Sequence, residues 1–246
     1  MRTKYLLACL VLVGFVRLTA AQNEADIVTR SELAEDMPAV SNHPVPRKLI
    51  EIQQEEITCH PVPKKLLAVH YRAKPTAEYS LNDDRIVIAV EHGDRQKILK
   101  VFESDAGIVN DRLDSQIEFE QSFIVLSGMR FLYIQQRFAG SAGAVLHDVY
   151  SISSDDQLFL IPFEEASKPK LLNPGEELRN TSYRFENGGF TSEAGIYAPH
   201  DPECCASYGT YHARFTLAGE FRQVAGKDIF KPEFKFVVAK EWRSRE

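Results

Sequence analysis

The chain has 246 residues, 44% of them hydrophobic and 26% charged. That is an ordinary globular composition, with enough length to bury a core without metal or disulfide staples. Its 29 basic and 35 acidic residues give a formal net charge of −6, and no basic stripe runs along it, so the electrostatic footprint of a nucleic-acid binder is missing.

The N-terminal residues read as an export signal. Arg2 and Lys4 give a positive start, Tyr5 to Val16 is an apolar run, and Thr19-Ala20-Ala21 supplies the small residues that a signal peptidase needs. The run is shorter than the about 20 apolar residues of a bilayer span. Residues 1–21 are therefore expected to be removed, leaving a secreted or periplasmic protein that does not span the membrane. Leu6-Leu7-Ala8-Cys9 has the form of a lipoprotein box, but cutting there leaves an h-region of about four residues against the usual seven or more, so Cys9 is read as part of the tag. Losing Arg2, Lys4 and Arg17 and no acid takes the net charge from −6 to −9.

Residues 22–42 are polar and acidic without a clean period, and read as a flexible leader with room for a short helix capped by Ser31. The folded domain is expected over 43–246. It opens on a local repeat, in which His43-Pro44-Val45-Pro46-Arg47-Lys48-Leu49-Ile50 recurs as His60-Pro61-Val62-Pro63-Lys64-Lys65-Leu66-Leu67. Two copies fall short of a solenoid. Each reads as a stiff, extended lead-in to a strand.

Short strands follow in chain order. They are expected at Leu66–Ala73, Arg85–Glu91, Ile98–Glu103, Ile117–Leu126, Met129–Phe138, Val145–Ile152 and Leu158–Phe163. Further strands are expected at Ser182–Phe185, Phe190–Tyr197, Tyr211–Leu217, Phe221–Ala225 and Phe234–Ala239. The breaks carry turn residues, among them Ser127-Gly128, Asp155-Asp156, Asn187-Gly188-Gly189 and Ala218-Gly219-Glu220. Alternation is clearest in Ile117-Glu118-Phe119-Glu120 and around Phe234-Lys235-Phe236. This predicts an all-β domain, a single antiparallel sandwich, barrel or propeller-like meander, with the best sub-boundary near 164–179.

The mature chain keeps Cys59, Cys204 and Cys205. In an oxidising compartment they are disulfide candidates. Adjacent cysteines lie too close to bond each other, about 3.8 Å between Cα atoms, so the expected bridge runs from Cys59 to one of the pair. Cys59, His60, His200, Cys204, Cys205 and His212 also form a pool of zinc ligand types, without the spacing of a zinc knuckle. Asp105, Asn110, Asp111 and Asp114 share one loop but not the calcium-loop spacing. A cysteine nucleophile beside Asp201 and Glu203 has the wrong electrostatics, and Ser207 with His212 lacks a nucleophile elbow. Phe131, Tyr133, Phe138, Phe159, Phe163 and Tyr197 read either as an aromatic sugar-binding face or, more simply, as core.

Asp201-Pro202-Glu203-Cys204-Cys205-Ala206-Ser207, followed by Tyr211-His212-Ala213-Arg214-Phe215, resembles a motif of uncharacterised bacterial exported proteins. In that motif Asp-x-x-Cys-Cys-Pro-Ser precedes an aromatic strand, and Ala206 stands here in place of the proline. The resemblance spans Phe190 to Phe221. It implies an exported β-rich domain and carries no catalytic residue with it. The expected role is a non-enzymatic binding or structural module with a protein or glycan partner. The alternative is a hydrolase or metal-dependent enzyme built on His200, Cys204, Cys205 and His212.

Overall fold

The structure, a computed structural model, describes residues 27–35, 47–73, 84–103, 108–109, 112–113, 117–138, 145–163, 171–186, 189–202 and 206–244. Nearly all of them lie in antiparallel strands. Among the described residues, no helix is long and apolar enough to cross a membrane.

Three meanders follow one another along the chain. The first sheet contains β1 (Ile27–Thr29), β2 (Arg47–Ile57), β3 (Lys64–Ala73), β4 (Asp84–His92) and β5 (Arg95–Glu103), in the order β1-β5-β4-β3-β2. A two-stranded hairpin, β6 (Ile108–Val109) and β7 (Arg112–Leu113), comes next. The second sheet runs β11-β10-β9-β8, from β8 (Ile117–Leu126), β9 (Met129–Phe138), β10 (Val145–Ile152) and β11 (Leu158–Leu160). The third runs β12-β13-β14-β15, from β12 (Glu177–Glu186), β13 (Gly189–Tyr197), β14 (Thr210–Gln223) and β15 (Phe230–Ser244).

Side-chain alternation explains how the sheets stack. Along β9, Leu132 and Ile134 enter one hydrophobic cluster with Leu66, Ala68, Ile86 and Ile88 of the first sheet. Phe131 and Tyr133, one position out of phase, enter another with Phe190, Phe215, Phe234 and Phe236 of the third. Residues two apart share a face, so the second sheet is the middle layer, buried on both sides. Backbone bonds stitch the layers together: Thr58 N–H donates to the Arg130 carbonyl at 3.1 Å, and Phe236 N–H donates to that of Pro162 at 2.8 Å.

All three sheets meet at the turn between β10 and β11. Asp156, at φ 63° in that turn, accepts a bond from Lys64 of β3, pairs with His92 Nε2 of β4 at 2.8 Å and lies 3.6 Å from Lys97 Nζ of β5. Burial pushes its carboxyl up, but the Lys64 and His92 bonds outweigh that and hold it below the ordinary value. Next to it, Ser154 exchanges bonds with Phe230 at the start of β15, N–H to carbonyl at 3.0 Å and N–H to Oγ at 2.8 Å.

Three expectations need correction. The short helix allowed for in 22–42 is α1 (Arg30–Ala34), preceded by Ile27–Thr29, which pairs with β5. The cap is Thr29 rather than Ser31, in a reciprocal box with Glu32. Leu33 is fully buried against the outer face of the first sheet, and the Tyr71 hydroxyl donates to its carbonyl. Ala218-Gly219-Glu220 is no turn either; β14 runs through it without a break. Gly219 holds φ 122°, and a Cβ there would lie 2.0 Å from the Glu233 carbonyl oxygen, so the glycine admits a close approach of two backbones. Finally, Cys59 is a free, buried thiol.

His60 packs its ring 4.3 Å from that of Phe230, at the start of β15. Ala206 and Ser207, which follow the cysteine pair, lie with Arg243 at the far end of that strand. Cys204 and Cys205 themselves lie outside the described residues, as do the calcium candidates Asp105, Asn110, Asp111 and Asp114.

Candidate functional site

At the end of the third sheet where β15 finishes, an open cleft of about 930 Å3 is lined by Asn173, Glu176, Ala206, Ser207, Tyr208, Gly209 and Arg243. Three segments supply them. The turn around Asn173-Pro174-Gly175-Glu176 leads into β12, the 206–209 segment leads into β14, and Arg243 is the penultimate residue of β15. Cross-strand pairing places Arg243 beside Tyr211, whose ring enters the core shared with the second sheet. The cleft is therefore the open end of that interlayer core.

Its charged groups are engaged with one another. Arg243 grips Glu176 through both terminal nitrogens, at 3.0 and 3.1 Å, and the same nitrogens reach the carbonyls of Leu171 at 3.0 Å and Tyr208 at 3.4 Å. Asn173 adds its N–H at 2.7 Å and its side-chain amide at 2.9 Å to the Glu176 carboxylate. The Arg243 and Asn173 bonds hold the Glu176 carboxyl down at about 2. One guanidinium thus ties both loops to the end of β15.

Asp201 sits behind the cleft and orders its second wall. Its Oδ2 accepts the Ser207 hydroxyl at 2.6 Å, the Ala198 N–H at 2.6 Å and the Ser207 N–H at 3.3 Å. The Ser207 and Ala198 bonds lower its carboxyl below the ordinary value. Gly195 makes room for this wall: a Cβ there would meet the Tyr197 ring at 2.6 Å and the Ala206 methyl at 3.0 Å.

Compared with family models, with curated proteins and with solved structures, the chain finds no match.

Of the residues singled out from sequence, the cleft collects only the flank of the Asp201–Ser207 motif. His200 is exposed in the preceding turn. His212 stands on the opposite face of the third sheet, since its neighbours Tyr211 and Ala213 point into the core. There it stacks on Trp242 at 5.0 Å and pairs with Ser244 Oγ at 2.8 Å. Ser207 is thus bonded to Asp201 and lies across the sheet from His212. Cys59 and His60 are at the other end of β15. Among the described residues, no three histidines, cysteines or carboxylates come together as a metal would need.

Four of the six aromatic candidates are buried or packed into the core. Phe131, Tyr133 and Tyr197 are buried, and Phe163 packs on Phe236, Phe215 and Phe190. Phe159 is half-buried under Lys231, and the Phe138 side chain lies outside the described residues. The Asn173-Pro174-Gly175 turn falls inside the sub-boundary that the sequence placed near 164–179. Glu176, Tyr208 and Arg243 were not singled out, because no local spacing links positions so far apart.

Proposed function

We propose that this chain is an exported, non-enzymatic binding module of the cell envelope or the extracellular space, and that the cleft between Asn173, Ser207, Tyr208 and Arg243 is where its partner sits. The observation that carries the reading is the mutual pairing of Glu176 and Arg243, the two charged side chains lining the cleft. Glu176 and Arg243 satisfy each other, and Ser207 donates to a carboxylate whose proton affinity is lowered. A general base works with a pKa near the operating pH, whereas the carboxylate that Ser207 meets among the described residues is held below the ordinary value. Pre-organised polar groups in an open, aromatic-edged cleft suit recognition instead. The export signal and the resemblance around Asp201–Ser207 support the same address.

Export is tested by N-terminal sequencing of the protein recovered from periplasmic or secreted fractions. A chain starting at Gln22 supports the reading, and full-length protein confined to the cytoplasm overturns it. The non-enzymatic part is tested by assaying ester, peptide and glycoside substrates with the native protein and with Ser207→Ala. Turnover that disappears in the variant would sink it.

A further inference from the structure

We infer that the cleft selects a neutral saccharide, with Tyr208 as the stacking surface and Asn173 and Ser207 as the hydrogen-bonding groups; this rests on the binding reading above. The inference comes from what the cleft leaves available once its internal bonds are made. Both terminal nitrogens of Arg243 are engaged twice, by Glu176 and by the carbonyls of Leu171 and Tyr208. The guanidinium therefore has little left for an incoming anion. Glu176 is only 6% exposed and takes Arg243 on one side and Asn173 on the other, so it is closed to a cation. Paired charge within the lining cancels, and an ionic ligand would have to break a two-point ion pair to gain one.

What remains is neutral. Asn173 uses its amide nitrogen on Glu176 and keeps its side-chain carbonyl as an acceptor. Ser207 gives its proton to Asp201 and keeps its oxygen lone pairs. Gly209 brings bare backbone to the floor. Tyr208 lines the cleft and is 49% exposed, while its N–H is fixed to the Ile196 carbonyl at 3.1 Å. An exposed aromatic ring beside hydroxyl-matched acceptors fits a sugar ring, which offers an apolar C–H face and a belt of hydroxyl donors. The volume of about 930 Å3 falls in the range of pre-formed small-ligand sites.

The test is an array of neutral and acidic oligosaccharides and unmodified peptides, followed by calorimetric titration of the strongest hits against the native protein, Tyr208→Ala and Ser207→Ala. Tyr208 is exposed, so its truncation leaves the fold intact, and near-identical thermal melts verify that. Binding of neutral sugars that weakens tenfold or more in Tyr208→Ala is the expected result. A preference for acidic sugars or for peptides, or neutral-sugar binding indifferent to Tyr208, overturns the ligand assignment while leaving the binding-module reading in place. No binding to any probe, together with Ser207-dependent turnover, overturns both; no binding and no turnover overturns the saccharide assignment alone.

Discussion

Arg243 and Glu176, 67 positions apart, meet in a two-point ion pair at 3.0 and 3.1 Å. The pair joins the last strand of the third sheet to the turn that begins it, so the first and last segments of that meander share one fastening. Glu176 is almost wholly covered while Arg243 is partly exposed, which places the carboxylate as the inner member of the pair.

Glu176→Gln should therefore loosen the cleft before it loosens the core. The carboxyl is held down at about 2 by Arg243 and Asn173. A depressed carboxyl contributes stability that is complete above its unfolded value of about 4.3 and disappears as pH falls through the folded value. Thermal melts of the native protein should thus decline between roughly pH 4.5 and 2, and the Glu176→Gln variant should lose part of that slope. Amide exchange in 171–176 and 206–209 should quicken in the variant at neutral pH, with β9 unchanged. Equal exchange in both proteins would remove the pair from any role in ordering the cleft.

Gly219→Ala tests the continuous β14. The glycine combines φ 122° with a Cβ position 2.0 Å from a backbone oxygen, and backbone cannot swing aside as a side chain can. Strain at such a position and overpacking each cost roughly 1–3 kcal/mol. The urea midpoint should drop accordingly. An unchanged midpoint would mean that the Ala218–Glu220 segment is a turn after all, as its composition suggested.

The sequence showed the strands well and the site poorly, for one physical reason. Alternation is local, so Ile117–Leu126, Met129–Phe138 and Val145–Ile152 could be bounded to the residue. Glycine at position 219 read as a turn because its partner backbone, Glu233, is distant in the chain. The bridge expected from Cys59 rested on compartment and residue type alone; Cys59 is a buried free thiol, and its expected partners Cys204 and Cys205 lie outside the described residues. Asp201 and Ser207 were legible as a motif, whereas Glu176 and Arg243 acquire meaning only when the third sheet brings its two ends together.

Cys59 should behave as an inert thiol in the native protein. Burial pushes it up, and the nearby Lys64 pulls it back only in part. The thiolate is the reactive form, so a thiol reagent at neutral pH should leave Cys59 unmodified until denaturant is added. Cys59→Ala should then cost about 1 kcal/mol, the scale of a small core truncation rather than the 2–5 kcal/mol of a lost disulfide. Peptide mapping under non-reducing conditions that finds Cys59 bonded to Cys204 or Cys205 would overturn the unbridged arrangement.

The last prediction concerns acid sensitivity at the boundary between the second and third sheets. His147 of β10 accepts or donates through Nδ1 with the Tyr133 hydroxyl, and its ring lies 6.2 Å from Tyr183 and 6.0 Å from Phe190. Burial lowers its pKa, against the Tyr183 backbone and the charge of Asp148, which favour the protonated ring. Tyr133, pushed up to about 12 by burial and then by Glu120, stays a neutral phenol throughout. The unfolded chain takes up a proton at about 6.5 that the folded protein resists. Stability is therefore complete above that value and declines as pH falls below it. His147→Gln keeps a polar side chain of similar size and removes the titration, so its melting temperature should vary less between pH 7 and 5 than that of the native protein. The direct check is the NMR titration of the His147 ring, whose midpoint should lie below the ordinary imidazole value of about 6.5. A His147 midpoint at or above about 6.5 would show the ring to be open to water, and the boundary between the two sheets to be looser than the aromatic packing indicates.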